Sequence, residues 1–231
     1  MHTGFPLIRI GNAHDGGYLV PDDLDGIAAV FSPGVADTVD FEMHFASHGV
    51  PCFLADASVT APPVVHERVH FIRKHLGPVP DERHVSLDGW VRTHAPAEGD
   101  LLLQMDIEGA EYDILRSTPA DVLRRFRVIV IEFHGLHRIW RRDGARRMFP
   151  AFERILADFA VVHIHPNNCA ALRTRRGLSL SPVTEFTFLR RDRAALLMPR
   201  TDLPHPLDRP NVPGRPDHRL DPTWGGTRAS S

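Results

Sequence analysis

The sequence predicts an α/β fold in which a mainly parallel sheet is covered by helices on both faces. Three observations predict it. Short apolar runs recur between residues 27 and 189; several close on a turn signal or an acidic residue; and the stretches between them carry helical spacing. With 231 residues, 42% of them hydrophobic, the chain can build one sizeable core.

The elements follow in order. Ile27 to Phe31 is a first buried strand, closed by Ser32, Pro33 and Gly34, and a helix begins near Asp40. Pro51 to Leu54 is a second strand ending at Asp56, and Val69 to Ile72 a weaker third, interrupted by His70. Ser86 and Asp88 are candidate caps for a helix that precedes the fourth strand, Leu101 to Met105. Arg127 to Phe133 is the fifth. Pro150 suits the first turn of a helix, and Phe149, Phe152, Leu156 and Phe159 recur along one face as a core stripe. Val161 to His165 is the sixth strand; Val183 to Leu189, rich in β-branched and aromatic residues, is the seventh.

Residues 1–198 thus form a single domain. Residues 199–231 hold seven of the chain's 20 prolines and few apolar residues, so no packed element is expected there. Disorder, or an extended tail that wraps the domain or reaches a partner, is the expectation for such composition.

Charge and cysteine content exclude several classes. Lys and Arg total 27 against 29 Asp and Glu, so no broad basic surface for nucleic acid is expected. Arg138, Arg141, Arg142, Arg146 and Arg147 are nevertheless clustered, as a solvated helix face, a substrate lid or a subunit contact in a homo-oligomer. Two cysteines, Cys52 and Cys169, form neither a disulfide framework nor a CxxC pair, which points to a reducing, cytoplasmic setting. There is no signal-peptide pattern and no apolar run near the ~20 residues of a membrane span.

The most informative stretch is Leu101 to Leu115. An apolar run breaks into Asp106, Glu108 and Gly109 and then resumes with helical spacing, which reads as strand, acidic turn, helix. Ends of parallel strands line the ligand crevice of open α/β sheets, so Asp106 and Glu108 stand where small molecules bind. Glu108 and Glu111 also have a plainer role, since acids in a helix's first turn meet its positive end.

Five segments occur in a fixed order: Arg9 to Val20 with Asp15-Gly16-Gly17-Tyr18, Phe31 to Glu42, Leu54 to Asp56, Ser86 to Asp88, and Met105 to Glu111. Together they resemble the FkbM-type S-adenosylmethionine-dependent methyltransferases, in the branch carrying DGGY before the first strand, over about residues 9–190. The resemblance implies a class I methyltransferase fold: a Rossmann-like, seven-stranded sheet with the last strand antiparallel. It also implies that Ser32, Gly34 and Asp37 pass under the methionine part of S-adenosyl-L-methionine. Asp56 would bind its ribose, and Ser86 or Asp88 would lie near its adenine. Asp15, Gly17 and Tyr18 would fold over it as a lid, although Asp-Gly and Gly-Gly are also ordinary hairpin signals. Pro33 and Gln104 depart from the family, which commonly has an aromatic residue and a lysine there.

The reaction so implied is methyl transfer to a hydroxyl of a sugar, glycoside or other small natural product, a step that needs positioning and proton removal. Asp106 and Glu132, ending neighbouring strands, are the candidate catalytic pair, with His134 beside them; the two carboxylates could hold Mg2+ or Mn2+. Glu108, His165, Asn167 and Asn168 are candidate acceptor ligands, the asparagines better placed than His163 because the seventh strand separates the fifth from the sixth. Two other functions use the same residues. One is a metal-dependent hydrolase built from Asp106, Glu132, His134, His163 and His165. The other is a non-catalytic module that keeps the fold and engages a partner through its tail or arginines.

Overall fold

The computed structural model describes residues 1, 3–35, 38–194, 198, 203–220 and 224. The chain opens with a hairpin, β1 (Leu7–Gly11) and β2 (Gly17–Pro21), followed by β3 (Ile27–Pro33), α1 (Asp40–Ser47), β4 (Cys52–Ala55) and β5 (Val69–Ile72). A small pair, β6 (His75–Leu76) and β7 (His84–Val85), leads to α2 (Leu87–His94), β8 (Asp100–Met105), α3 (Glu111–Ser117), α4 (Ala120–Leu123) and β9 (Phe126–His134). After a 3-10 turn at Leu136–Trp140 come α5 (Arg142–Asp158), β10 (Phe159–Pro166), the hairpin β11 (Arg173–Arg175) and β12 (Leu178–Leu180), and β13 (Val183–Arg190).

Seven strands form one sheet in the order β10-β13-β9-β8-β3-β4-β5. The five from β9 to β5 run parallel, whereas β13 is antiparallel to both neighbours. This is the class I methyltransferase arrangement. The seven sheet strands are those expected, with boundaries shifted by a residue or two. The central strands are mainly apolar because both faces are covered. Phe31, Leu101, Leu103, Ile129, Phe133 and Phe188 pack with α2, α3 and α5 on one face, while Val30, Leu102, Val128 and Val130 pack with α1 and the β1–β2 hairpin on the other.

The helix around Pro150 departs from the expectation. α5 starts at Arg142, so Pro150 lies inside it, exposed, and the carbonyl it leaves unbonded is on the solvent side. The buried face is Gly144, Met148, Ala151 and Ile155. Phe149 is 54% and Leu156 38% exposed; with Phe152 they line an apolar cavity against β10 rather than a closed core.

At the amino ends of the strands, far from the site, buried Arg127 is held by Asp23 and Asp100, and Arg190 and Arg193 bind the same two carboxylates. The described tail, 203–220, contains neither helix nor strand, yet it lies against the domain through Asp208, Asn211 and Asp217. Among the described residues no helix is long and apolar enough to cross a membrane.

Candidate active site

Sheet register builds the site. Met105 pairs with Ile131 on the neighbouring strand, so Asp106 falls level with Glu132. Glu132 is opposite Glu185, and Glu185 is opposite His165. Four ionisable side chains therefore stand in one row across β8, β9, β13 and β10 at the carboxyl ends of the parallel strands. β3 and β8 leave the sheet's centre in opposite directions at this edge, which is the switch point where open α/β sheets bind ligands.

The crossing of β3 and β8 is tight. Asp106 N–H donates to the Pro33 carbonyl at 3.2 Å, and a Cβ on Gly34 would lie 1.5 Å from the Asp106 carbonyl oxygen. Gly34 also has φ of 84°, so only glycine satisfies both the conformation and the approach. A narrow pocket of about 70 Å³ opens here, lined by Asp15, Tyr18, Gly34, Thr38, Glu42, Gln104 and Asp106 among others. Asp37, the other expected residue of this turn, lies outside the described residues.

Beneath the pocket runs a buried polar chain. Gln104 Nε2 donates to the Tyr18 hydroxyl at 3.1 Å, its Oε1 accepts from Ser32 at 2.6 Å, and Ser32 also meets the Glu42 carboxyl. Gln104, where the resemblance expects lysine, thus joins the hairpin to the end of β3. Burial pushes Glu42 up to about 7, against the lowering effect of its Ser32 bond.

His134 ends β9 and is centred among acids. Its Nε2 lies 3.3 Å from Glu108, 3.5 Å from Glu132 and 3.8 Å from Asp106; its Nδ1 donates to Glu111 at 3.1 Å. Glu111 is wholly buried, and the same oxygen accepts the Gly109 N–H at 2.9 Å. Sequence reasoning assigned Glu111 only to the helix terminus; the structure adds the orientation of His134. The detectable signal was an acid on the inward face of the first turn, directly after the acidic loop.

The cluster holds protons because it is short of positive charge. Burial raises Asp106 to about 7, with His134 opposing and Glu108, Glu111 and Asp15 adding to the rise. Glu132 is held well above the carboxylate range by burial and then by Asp106, Glu185 and Asp15. For His134, burial lowers the pKa, but the hydrogen bond and charge of Glu111, with Asp106 and Glu108, outweigh it and raise the value. Asp106, Glu132 and His134 each offer a ligand atom within 4.8 Å of the others, and Asp15, Glu132 and Glu185 do the same.

The remaining expected ligands have other partners. Asn167 reaches Glu132 at 3.1 Å, as the loop past β10 curls back. His165 is buried between Glu185 at 3.2 Å and Asp217 at 3.1 Å, and Asn168 donates to the Val212 and Arg215 carbonyls. The sequence of β10 could not reveal that the tail returns 44 to 52 residues later to take these groups. His163 likewise faces Asp208 at 2.9 Å, so neither β10 histidine joins the cluster that a hydrolase would need. Asp56 directly follows β4 and accepts from the Ser58 N–H and hydroxyl; Ser86 caps α2, and Asp88 pairs with Arg92. Gly17 begins β2, with Asn12 O 1.9 Å from where a Cβ would stand.

Comparison with known proteins follows the same line. The sequence matches the methyltransferase FkbM domain over residues 39–161, more than half of the chain. No curated protein matches in sequence. Similar solved structures include WbdD (11% identity, TM-score 0.40, covering 71% of this chain and 35% of that one). An rRNA methylase from Streptococcus thermophilus is 9% identical, with TM-score 0.40 and coverage of 71% and 89%. Magnesium protoporphyrin IX methyltransferase from Synechocystis PCC 6803 is 11% identical, with TM-score 0.36 and coverage of 73% and 76%. The domain match and the strand order together make this chain a member of the FkbM methyltransferase family, an S-adenosylmethionine-dependent methyltransferase.

Proposed function

We propose that the protein methylates a hydroxyl of a small acceptor, such as a sugar, glycoside or other natural product, at the cluster of Asp106, Glu132 and His134, with a divalent cation held by Asp106 and Glu132 and His134 left free as the base. The observation that carries this reading is the convergence of those three donors, within 4.8 Å of one another, beside the β3–β8 crossing.

The residues fit both groups. The pocket at Gly34 is lined by Asp15 and Asp40, acids suited to the ammonium and sulfonium charges of S-adenosylmethionine; Asp56, directly after β4, suits its ribose hydroxyls. Gly17 and Tyr18 belong to the lid hairpin over this pocket. When bound, S-adenosylmethionine supplies the methyl group. For the cation, Asp106 Oδ1 is a buried oxygen without a hydrogen-bond partner among the described residues, next to Glu132 and His134. Such an ion lowers the pKa of a nearby hydroxyl.

The chain's own residues then divide the work. Glu111 fixes His134 with its Nδ1 proton inward, leaving Nε2 toward the acceptor side. His134 Nε2 takes the hydroxyl proton, and Asp106 and Glu132 keep the resulting charge local. Glu108, 85% exposed at φ of 57°, and Asn167 are the groups nearest an acceptor's remaining hydroxyls.

The test is transfer of labelled methyl from S-adenosylmethionine to a panel of hydroxylated acceptors, with Mg2+ or Mn2+ and with chelator. Product should need the cation, and Asp106→Asn or Glu132→Gln should slow its formation at least ~100-fold with cofactor affinity nearly unchanged. Full activity in either variant would sink the reading.

A further inference from the structure

Next to His134 in the chain and in sheet register lies a second feature that methyl transfer alone does not use. The 3-10 turn starts two residues after His134, and β13 begins at Val183, which is paired with His134. Leu136 N–H donates to the Pro182 carbonyl at 3.0 Å, and the Arg175 guanidinium donates to the Trp140 carbonyl at 2.5 Å. The 3-10 turn and the β11–β12 hairpin are thereby joined beside the reacting cluster. On them, and on the start of α5, Arg138, Arg142, Arg146, Arg173 and Arg176 are all exposed.

These five have no acidic partner among the described residues, whereas Arg92, Arg127, Arg147, Arg190 and Arg193 each hold a carboxylate. Unpaired like charges repel, so the arrangement gives up stability unless something negative joins it. Two of the five share a neighbour. Burial lowers the His137 pKa, and Arg173 and Arg138 lower it further, while its buried Nδ1 has no hydrogen-bond partner.

We propose that Arg138 and Arg173 form a subsite for an anionic substituent, a phosphate or carboxylate, on the acceptor whose hydroxyl is methylated. The subsite deepens the preceding reading and rests on it for the identity of the acceptor. Guanidinium forks match the oxygens of both anions. The acids around His134 repel the same anion, so the two charge patterns orient the acceptor: anion toward the arginines, hydroxyl toward His134. Specificity then comes from repulsion at one end as much as from attraction at the other.

Titration with inorganic phosphate, followed by calorimetry and by the NMR signals of His137, tests the subsite without any methyl transfer. Phosphate should bind the wild type and raise the His137 pKa; in Arg138→Gln/Arg173→Gln, whose sites are exposed, affinity should fall at least ~10-fold with an unfolding temperature no lower than that of the wild type. Equal phosphate affinity in both proteins, or binding that leaves His137 unmoved, overturns the proposal. A second arm compares matched acceptors bearing phosphate, carboxylate or neither. The anion that the subsite serves should lower KM at least ~10-fold in the wild type only, with kcat alike in both proteins. The same KM ratios in wild type and double variant overturn the proposal even if phosphate binds. If no acceptor is methylated, the preceding reading fails, and the phosphate arm still decides the subsite.

Discussion

Glu42→Gln should stabilise the protein at pH 8 and hardly change it at pH 5. The reason begins with counting hydrogens. Ser32 has one hydroxyl proton and meets two oxygens, Oε1 of Glu42 and Oε1 of Gln104. Gln104 Nε2 is turned toward Tyr18, so Gln104 presents its carbonyl oxygen to Ser32 and takes that proton. Glu42 must then bring its own. Burial independently raises Glu42 from 4.5 to about 7, which agrees. A shift of that size corresponds to about 3 kcal/mol of folding free energy at 1.36 kcal/mol per unit. Because the native pKa is the higher one, the cost is absent in acid. It grows as the unfolded carboxyl ionises above 4.5 and levels off once pH exceeds about 7. A glutamine donates to Ser32 at every pH. Urea unfolding of both proteins should give a difference of about 3 kcal/mol in favour of the variant at pH 8, falling below ~1 kcal/mol at pH 5. A difference that does not change with pH, or a variant less stable at pH 8, refutes the reasoning.

Other outcomes follow from the same geometry. Gly34→Ala should fail to bind S-adenosylmethionine and lose several kcal/mol of stability, read by calorimetry and thermal unfolding, because the new methyl collides with the Asp106 carbonyl. Glu111→Gln should lower kcat by about 10- to 100-fold with little change in cofactor Kd; an unaltered kcat would mean that Glu111 serves the helix terminus alone. His165 is pushed up to about 10, its burial outweighed by Asp217 and Glu185, so the charged form is retained at neutral pH. The support it gives is therefore complete below its ordinary 6.5 and is lost only as pH passes 10. His165 NMR signals should stay fixed between about pH 6 and 8, and trypsin should cut the tail of His165→Gln faster than that of the wild type under those conditions.

The amino-acid sequence by itself determined the strands, because each is a short, mainly apolar or β-branched run between turn residues, a pattern that survives without knowledge of neighbours. It determined the family through five segments in order, and it marked Asp106, Glu132 and His134, because strand ends are visible as the places where apolar runs stop. Only the tertiary structure decided which groups those residues meet. Glu185 lay unnoticed inside β13 until antiparallel pairing set it opposite Glu132. Glu111 looked like a helix-terminus acid until folding brought it 3.1 Å from His134, 23 residues away. Pro150 read as a helix start because the pattern upstream of it is polar, and only contact of Gly144 and Met148 with the domain extends α5 that far. His165 and Asn168 are acceptor candidates by their place after the sixth strand, and folding gives both of them partners in a tail segment too proline-rich to pack by itself. The physical reason is common to all four. Local spacing governs which backbone shape a segment takes, whereas register and chain return govern which charges meet, and those depend on partners remote in sequence.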